Sequence, residues 1–271
     1  QTGPVLLAYK NTDKISEAIN KAKVQKPVYN VFAHDGSNHK IWVVNNKDQI
    51  EKMLSEINSM ESLFIADGHH RSAAAARVKE KFSKKNLNHD GNENYNYFLA
   101  VAFPHSEMTI LDYNRIIKGL NGQSINSLIS NIEKNYSLKK HSEEFKPVTK
   151  NTFGMYIDKN WYELNAIKEN INLTDPVKSL DVSILHDTII EPLLGIYDER
   201  TDPRIDFVGG ARGLKELENR VNNDNFDIAF ALFPTPIEAL IDVAEANKVM
   251  PPKSTWFEPK LLDGLLSHLI N

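Results

Sequence analysis

The chain contains no cysteine. That absence excludes a disulfide framework, a thiolate nucleophile and any zinc site built on sulfur, and it agrees with a cytoplasmic location. No apolar run approaches the ~20 residues needed to cross a bilayer, and no signal-peptide pattern stands at the front. A membrane partner is therefore not expected. Neither sign of charge is in large excess. Lys and Arg number 32 against 36 Asp and Glu, a net charge of −4. This argues against a general nucleic-acid-binding surface and leaves room for a local basic pocket. The phosphate loop G-x-x-x-x-G-K-[ST] is missing, and so is the G-x-S-x-G elbow of a serine hydrolase. No internal repeat is present.

What is there suffices for a core. Of 271 residues, 41% are hydrophobic, enough for one large domain or two lobes. We expect 1–271 to form a single domain, with a possible lobe boundary in the charged stretch 138–150. The opening QTGPVLLAYK lacks Met and runs straight into an apolar strand, so the chain reads as the C-terminal part of a longer protein.

Strands and helices are interspersed. Strands are expected at 5–9, 28–33, 40–44, 62–66, 95–103, 109–113, 153–157, 161–164, 205–208 and 227–233. The second and third form a hairpin around Asp35-Gly36. Helices are expected at 12–23 with Thr12 as N-cap, then at 47–57, 72–84, 125–134, most of 176–194, 213–221 and 236–246. Hairpins mixed with strand–helix steps predict an α+β fold, a mixed sheet with flanking helices.

The stretch SLFIADGHHRSAAAA, 62–76, carries the strongest chemical signal. A short strand, the turn Asp67-Gly68 and an alanine-rich helix make a pocket for an anion. The first N–H groups of a helix lack intrahelical partners, and the helix dipole adds positive charge there. Arg71 supplies a planar, two-pronged donor, with His69 and His70 beside it. Phosphate is the expected guest. The plainer alternative is a tight turn capped by Asp67.

Two further loops are candidates. Phe207–Gly213 holds three glycines between a strand and a helix, so a phosphate could approach its backbone; the alternative is an ordinary turn. Lys253, Ser254, Thr255, Trp256 and Glu258 crowd between Pro251-Pro252 and Pro259, which stiffen an irregular segment. This segment either borders a site or straps aromatic rings to the core. No metal held by protein ligands is expected, because the adjacent His69 and His70 point apart and lack a third ligand. Asp112 and Arg115 read as a structural ion pair. Asp206 could face a pocket, and the charge run 198–204 reads as a solvated loop.

The motifs ADGHHRSAAAA, NYFLAVAFP, LDYNR, RIDFVGG and MPPKSTWFEPKL together resemble the family called domain of unknown function 1015, over essentially the whole chain. The DGHHR turn also resembles that of free-serine kinases in the ParB/sulfiredoxin-like superfamily. The resemblance implies a ParB/sulfiredoxin-like core and phosphorylation of free L-serine to O-phosphoserine, with a nucleotide or pyrophosphate as donor and Mg²⁺ as cofactor. It places phosphate contacts on Gly68, His69, His70 and Arg71, with added charge from Lys253. Asp67 would orient the serine hydroxyl or the metal, and Asp67, His69 and His70 would be catalytic. Ser254, Thr255, Trp256 and Glu258 would contact the substrate. Family members carry an upstream Lys-His-Glu-x-Thr segment that this sequence lacks, so a catalytic base is expected outside it. The alternative is a nucleotide-binding switch or clamp of ParB type, without serine chemistry.

Overall fold

A computed structural model describes residues 1–271 apart from Asp35, Pro259 and Asn271. The fold is α+β, with seven α-helices and both parallel and antiparallel strand pairs among the described residues. No described helix is long and apolar enough to cross a membrane. The chain divides into two compact units. The first is Gln1–Met108 with Pro259–Asn271, and the second is Thr109–Glu258. The stretch 138–150 lies inside the second unit.

The first unit contains β1 (Val5–Tyr9), α1 (Asp13–Lys23), β2 (Tyr29–Phe32), β3 (Asn38–Ile41), α2 (Lys47–Asn58), β4 (Phe64–Asp67), α3 (His69–Ser83) and β5 (Ala100–Pro104). Central β1 pairs antiparallel with β4 and parallel with β5. Helix starts follow local chemistry. Thr12 Oγ1 accepts from the Ile15 N–H at 3.4 Å, and Asn46 Oδ1 accepts from the Gln49 N–H at 3.0 Å, each satisfying one orphan donor. The β2–β3 hairpin is shorter than expected, and Asp35 of its anticipated turn lies outside the described residues. The apolar run 95–103 does not form one buried strand. Asn94–Asn96 is a 3₁₀ turn, with the Tyr95 hydroxyl held by Asn86 and His89, and only Ala100–Pro104 pairs with β1. Residues 264–268 return to the start of the chain. The Gln1 ammonium donates to the His268 carbonyl at 2.6 Å, and the Gly264 N–H donates to the Thr2 carbonyl at 3.0 Å.

The second unit contains β6 (Thr109–Leu111), β7 (Tyr113–Ile117), α4 (Ile125–Ile132), β8 (Tyr136–His141), β9 (Thr152–Ile157), β10 (Asn160–Ala166), α5 (Asp181–Leu185), β11 (Ile205–Gly209), α6 (Leu214–Asn223), β12 (Ile228–Leu232), α7 (Ile237–Glu245) and β13 (Trp256–Glu258). Six strands form an antiparallel sheet in the order β11-β7-β12-β9-β10-β8, and β13 pairs with β6. Side chains alternate between faces, so each face buries its own cluster. Ile117, Met155, Ile228 and Phe230 meet Leu128, Ile132, Ile189 and Ile190 on one face. Ile116, Tyr156, Ala229 and Ala231 meet Leu214 and Leu217 on the other. That double cover explains why β12 reads as an unbroken apolar run, IAFAL, with every residue buried.

Two stretches depart from expectation. Tyr136–His141 is an edge strand, because Tyr136 and Leu138 turn inward while Lys139 and Lys140 stay exposed. The expected helix over 176–194 is confined to 181–190, with turns on either side. Five residues of α5 run directly into a π-helix at His186–Ile190.

Candidate functional site

The turn after β4 has the backbone an anion site needs. Gly68 is the N-cap of α3 with φ of 93°, and no side chain caps the helix. Asp67 is thus the last residue of β4 and does not cap. The left-handed conformation favours glycine, and space is short as well. A Cβ on Gly68 would lie 3.0 Å from Arg71 Nε and 3.3 Å from the Val5 Cα. Gly68→Ala is therefore expected to lower stability by about 1–2 kcal/mol, the cost of the left-handed conformation for an L-residue, and to displace Arg71. A fall in thermal midpoint measures it; an unchanged midpoint contradicts it.

Arg71 folds back over this glycine. Its Nη2 lies 3.5 Å from Asp67 Oδ2, with both side chains substantially exposed, and its buried Nε has no partner among the described residues. An exposed pair of this kind is worth about 0–1 kcal/mol, so a phosphate can displace the carboxylate at little cost. His69 and His70 are exposed in the first turn of α3. Asp67, Gly68, His69, His70 and Arg71 are thus gathered at one helix start in the first unit.

Lys253, Ser254, Thr255, Trp256 and Glu258 belong to the second unit. Ser254 is buried; its hydroxyl donates to the Pro251 carbonyl at 2.7 Å, and its own carbonyl accepts from Thr235 at 2.9 Å. Thr255 is half-buried. Lys253 Nζ sits 5.4 Å from the centre of the Tyr113 ring. Trp256 packs edge-on against Tyr113, and its indole N–H donates to Glu258 Oε1 at 2.8 Å. Pro259, the last of the bracketing prolines, lies outside the described residues.

Two of the three glycines in the loop after β11 serve packing. A Cβ at Gly209 would overlap the Trp256 ring, and one at Gly210 would overlap the Asp112 carboxylate. At Gly209 and Gly210 the close approach that glycine permits is taken by these side chains rather than by a phosphate, whereas Gly213, at φ of 73°, has nothing within 4 Å of a Cβ position. Asp206 points outward to Arg220 at 3.0 Å.

Sequence reasoning missed the second unit's main charged cluster. Arg115 does not pair with Asp112. Its Nη2 lies 3.5 Å from Glu199 Oε2, and the two side chains are 1% and 6% exposed. Burial holds the Arg115 guanidinium below its usual pKa, while Glu199 opposes that shift. Glu199 Oε1 lies 3.1 Å from His186 Nδ1. Asp187 and Glu191 stand beside His186, with potential ligand atoms all within 4.8 Å of one another. In an α-helix, residues five apart sit about 140° around the axis, so the spacing of His186 and Glu191 carries no signal. The π-turn brings them together through the bond from the Glu191 N–H to the His186 carbonyl, 2.9 Å.

Comparison with known proteins gives three findings. The family model described as "Protein of unknown function (DUF1015)" matches residues 1–183. No curated protein matches the chain in sequence. Among solved structures, it is similar to a conserved hypothetical protein from Pyrococcus furiosus, at 13% identity and a TM-score of 0.43, covering 97% of this chain and 79% of that one. It is also similar to a free serine kinase in complex with AMP, at 9% identity and a TM-score of 0.35, covering 93% and 83%. A third is SbnI with a C-terminal truncation, from Staphylococcus aureus, at 7% identity and a TM-score of 0.34, covering 97% and 85%.

Proposed function

We propose, from the premise that the chain belongs to the DUF1015 family, that its first unit binds the phosphates of a donor and that the protein is a small-molecule kinase. The acceptor is free L-serine, the product O-phosphoserine, and the donor a nucleotide or pyrophosphate. One observation carries the reading: the uncapped start of α3 on left-handed Gly68, with the Arg71 guanidinium folded across it and paired with the exposed Asp67 carboxylate. The DGHHR turn's resemblance to free-serine kinases supplies the acceptor.

Phosphoryl transfer needs positioning and charge neutralisation more than covalent help. The free N–H groups at the start of α3 and the Arg71 fork bind phosphate oxygens. His69 and His70 add donors from the same turn. Asp67, half-exposed beside them, suits Mg²⁺, which keeps most of its waters and takes one or two carboxylates. When bound, Mg²⁺ supplies charge neutralisation on the donor's phosphates. Asp67 is also the group at this turn able to orient the serine hydroxyl.

The test incubates the protein with serine, Mg²⁺ and ATP, ADP or pyrophosphate in turn, and measures O-phosphoserine. Turnover with one donor is expected. Arg71→Ala should lower kcat/KM at least about tenfold, the loss of one charge-assisted phosphate contact. Unchanged turnover in Arg71→Ala would remove the turn from the mechanism. Donor binding without O-phosphoserine would leave the nucleotide-binding clamp.

A further inference from the structure

We propose that His186, Asp187 and Glu191 in the second unit hold a divalent transition-metal ion, with Glu199 and Arg115 orienting the histidine. The three potential ligand atoms all lie within 4.8 Å of one another, close enough to share one ion. They stand on the π-turn, a rare geometry that concentrates at functional sites.

The surroundings of His186 are those a metal-bound imidazole requires. A ligating histidine donates its other ring N–H to a carboxylate, which fixes the tautomer and the ring's direction. Glu199 Oε1 takes that place, 3.1 Å from His186 Nδ1. With the proton on Nδ1, the Nε2 lone pair is free, and Nε2 is the atom facing Glu191, 3.5 Å from its Oε2. The buried guanidinium of Arg115 lies 3.5 Å from the other carboxylate oxygen of Glu199, which fixes the direction of that carboxylate.

A second observation points to a ligand in the same place. Arg115, His186, Asp187 and Glu199 line a cleft of about 230 Å³. Arg115 Nε is buried there, with no partner among the described residues. The cleft beside His186 and Asp187 has room for an oxygen ligand, such as water, carried by the ion. Three protein ligands leave coordination positions open for it.

The donor set selects the ion. One imidazole nitrogen and two carboxylates suit Zn²⁺ or Mn²⁺, whereas Mg²⁺ and Ca²⁺ prefer oxygen alone. Lys178 Nζ now lies 2.7 Å from Asp187 Oδ2, so the ion competes with an ammonium for that carboxylate.

Calorimetric titration of the chelator-treated full chain with Zn²⁺ decides the matter. One saturable equivalent is expected, retained in excess Mg²⁺. Asp187→Asn and Glu191→Gln should each weaken it at least tenfold. Both side chains are partly exposed, so these variants fold, as circular dichroism will confirm. Glu199→Gln should weaken binding about 10–100-fold without touching the ion. Lys178→Ala should tighten binding by removing the competitor, an effect that loss of structure cannot produce. Absence of a saturable equivalent, or undiminished binding in the Asp187→Asn/Glu191→Gln double variant, overturns the proposal; the latter would mark adventitious binding elsewhere.

Discussion

Glu199→Ala is expected to cost about 3–5 kcal/mol of stability, the range for removing one member of a buried ion pair. Arg115 is the reason. It lies on β7 opposite Phe207 and Phe230 of the neighbouring strands, with its guanidinium carbon 5.3 Å from the Phe207 ring centre. Without Glu199, the charge retains, among the described residues, the carbonyls of Tyr113 and Pro252 and that ring face. Denaturant midpoints at unchanged slope measure the loss. Glu199→Gln keeps an acceptor and should cost less. Replacing both members, Arg115→Met with Glu199→Leu, should recover most of the stability, because desolvating the pair offsets its attraction. A loss below about 1 kcal/mol in Glu199→Ala would show that the pair is not a buried charge pair in solution.

Asp181 should produce the opposite sign, in a pH-dependent way. It begins α5, is buried, and accepts from the Asn151 N–H at 2.9 Å, while Oδ2 has no partner among the described residues. Burial pushes its carboxyl up from 3.8 to about 6, against smaller opposing effects of the Asn151 N–H and Lys150. A carboxyl raised on folding contributes no penalty below about pH 4, where both states are protonated. The penalty grows as pH rises through the interval to about 6, because the unfolded chain ionises freely and the folded one does not. It is then constant. At 1.36 kcal/mol per unit, this amounts to about 3 kcal/mol. Asp181→Asn removes the ionisation. Its stability relative to the parent should therefore rise by about that much between pH 4 and pH 7. A difference independent of pH would mean that the carboxyl is solvated.

Much of the architecture is legible in the residues because local chemistry and tertiary packing agree there. Thr12 caps α1 as its type and position suggest, and α3 ends close to Lys84. β12 is apolar throughout because both sheet faces are covered. The turn at Gly68 is legible because few residues other than glycine tolerate its conformation. What could not be read depends on distant partners. Glu199 sits in a charge run that resembles any solvated loop. Only the fold supplies Arg115, across 84 positions of chain, to bury it. The loop at Gly209-Gly210 looks like a ligand cradle because glycine signals close approach without naming what approaches. The π-turn leaves no periodicity at all, since its spacing belongs to neither an α-helix nor a strand.

The interleaved order of the two units bears on how the chain is made. The second unit is one continuous stretch, and the first is completed only by residues that follow it. Gln1–Met108 leaves the ribosome before the second unit, and residues 264–268, which bond to Gln1 and Thr2, leave after it. Until those residues emerge, the earlier segment lacks its bonds at Gln1 and Thr2, while the later one is a single continuous stretch. The part made second can therefore mature first, reversing the usual N-to-C succession of domain folding. During that interval, the exposed apolar residues of the early segment are where a chaperone would be needed.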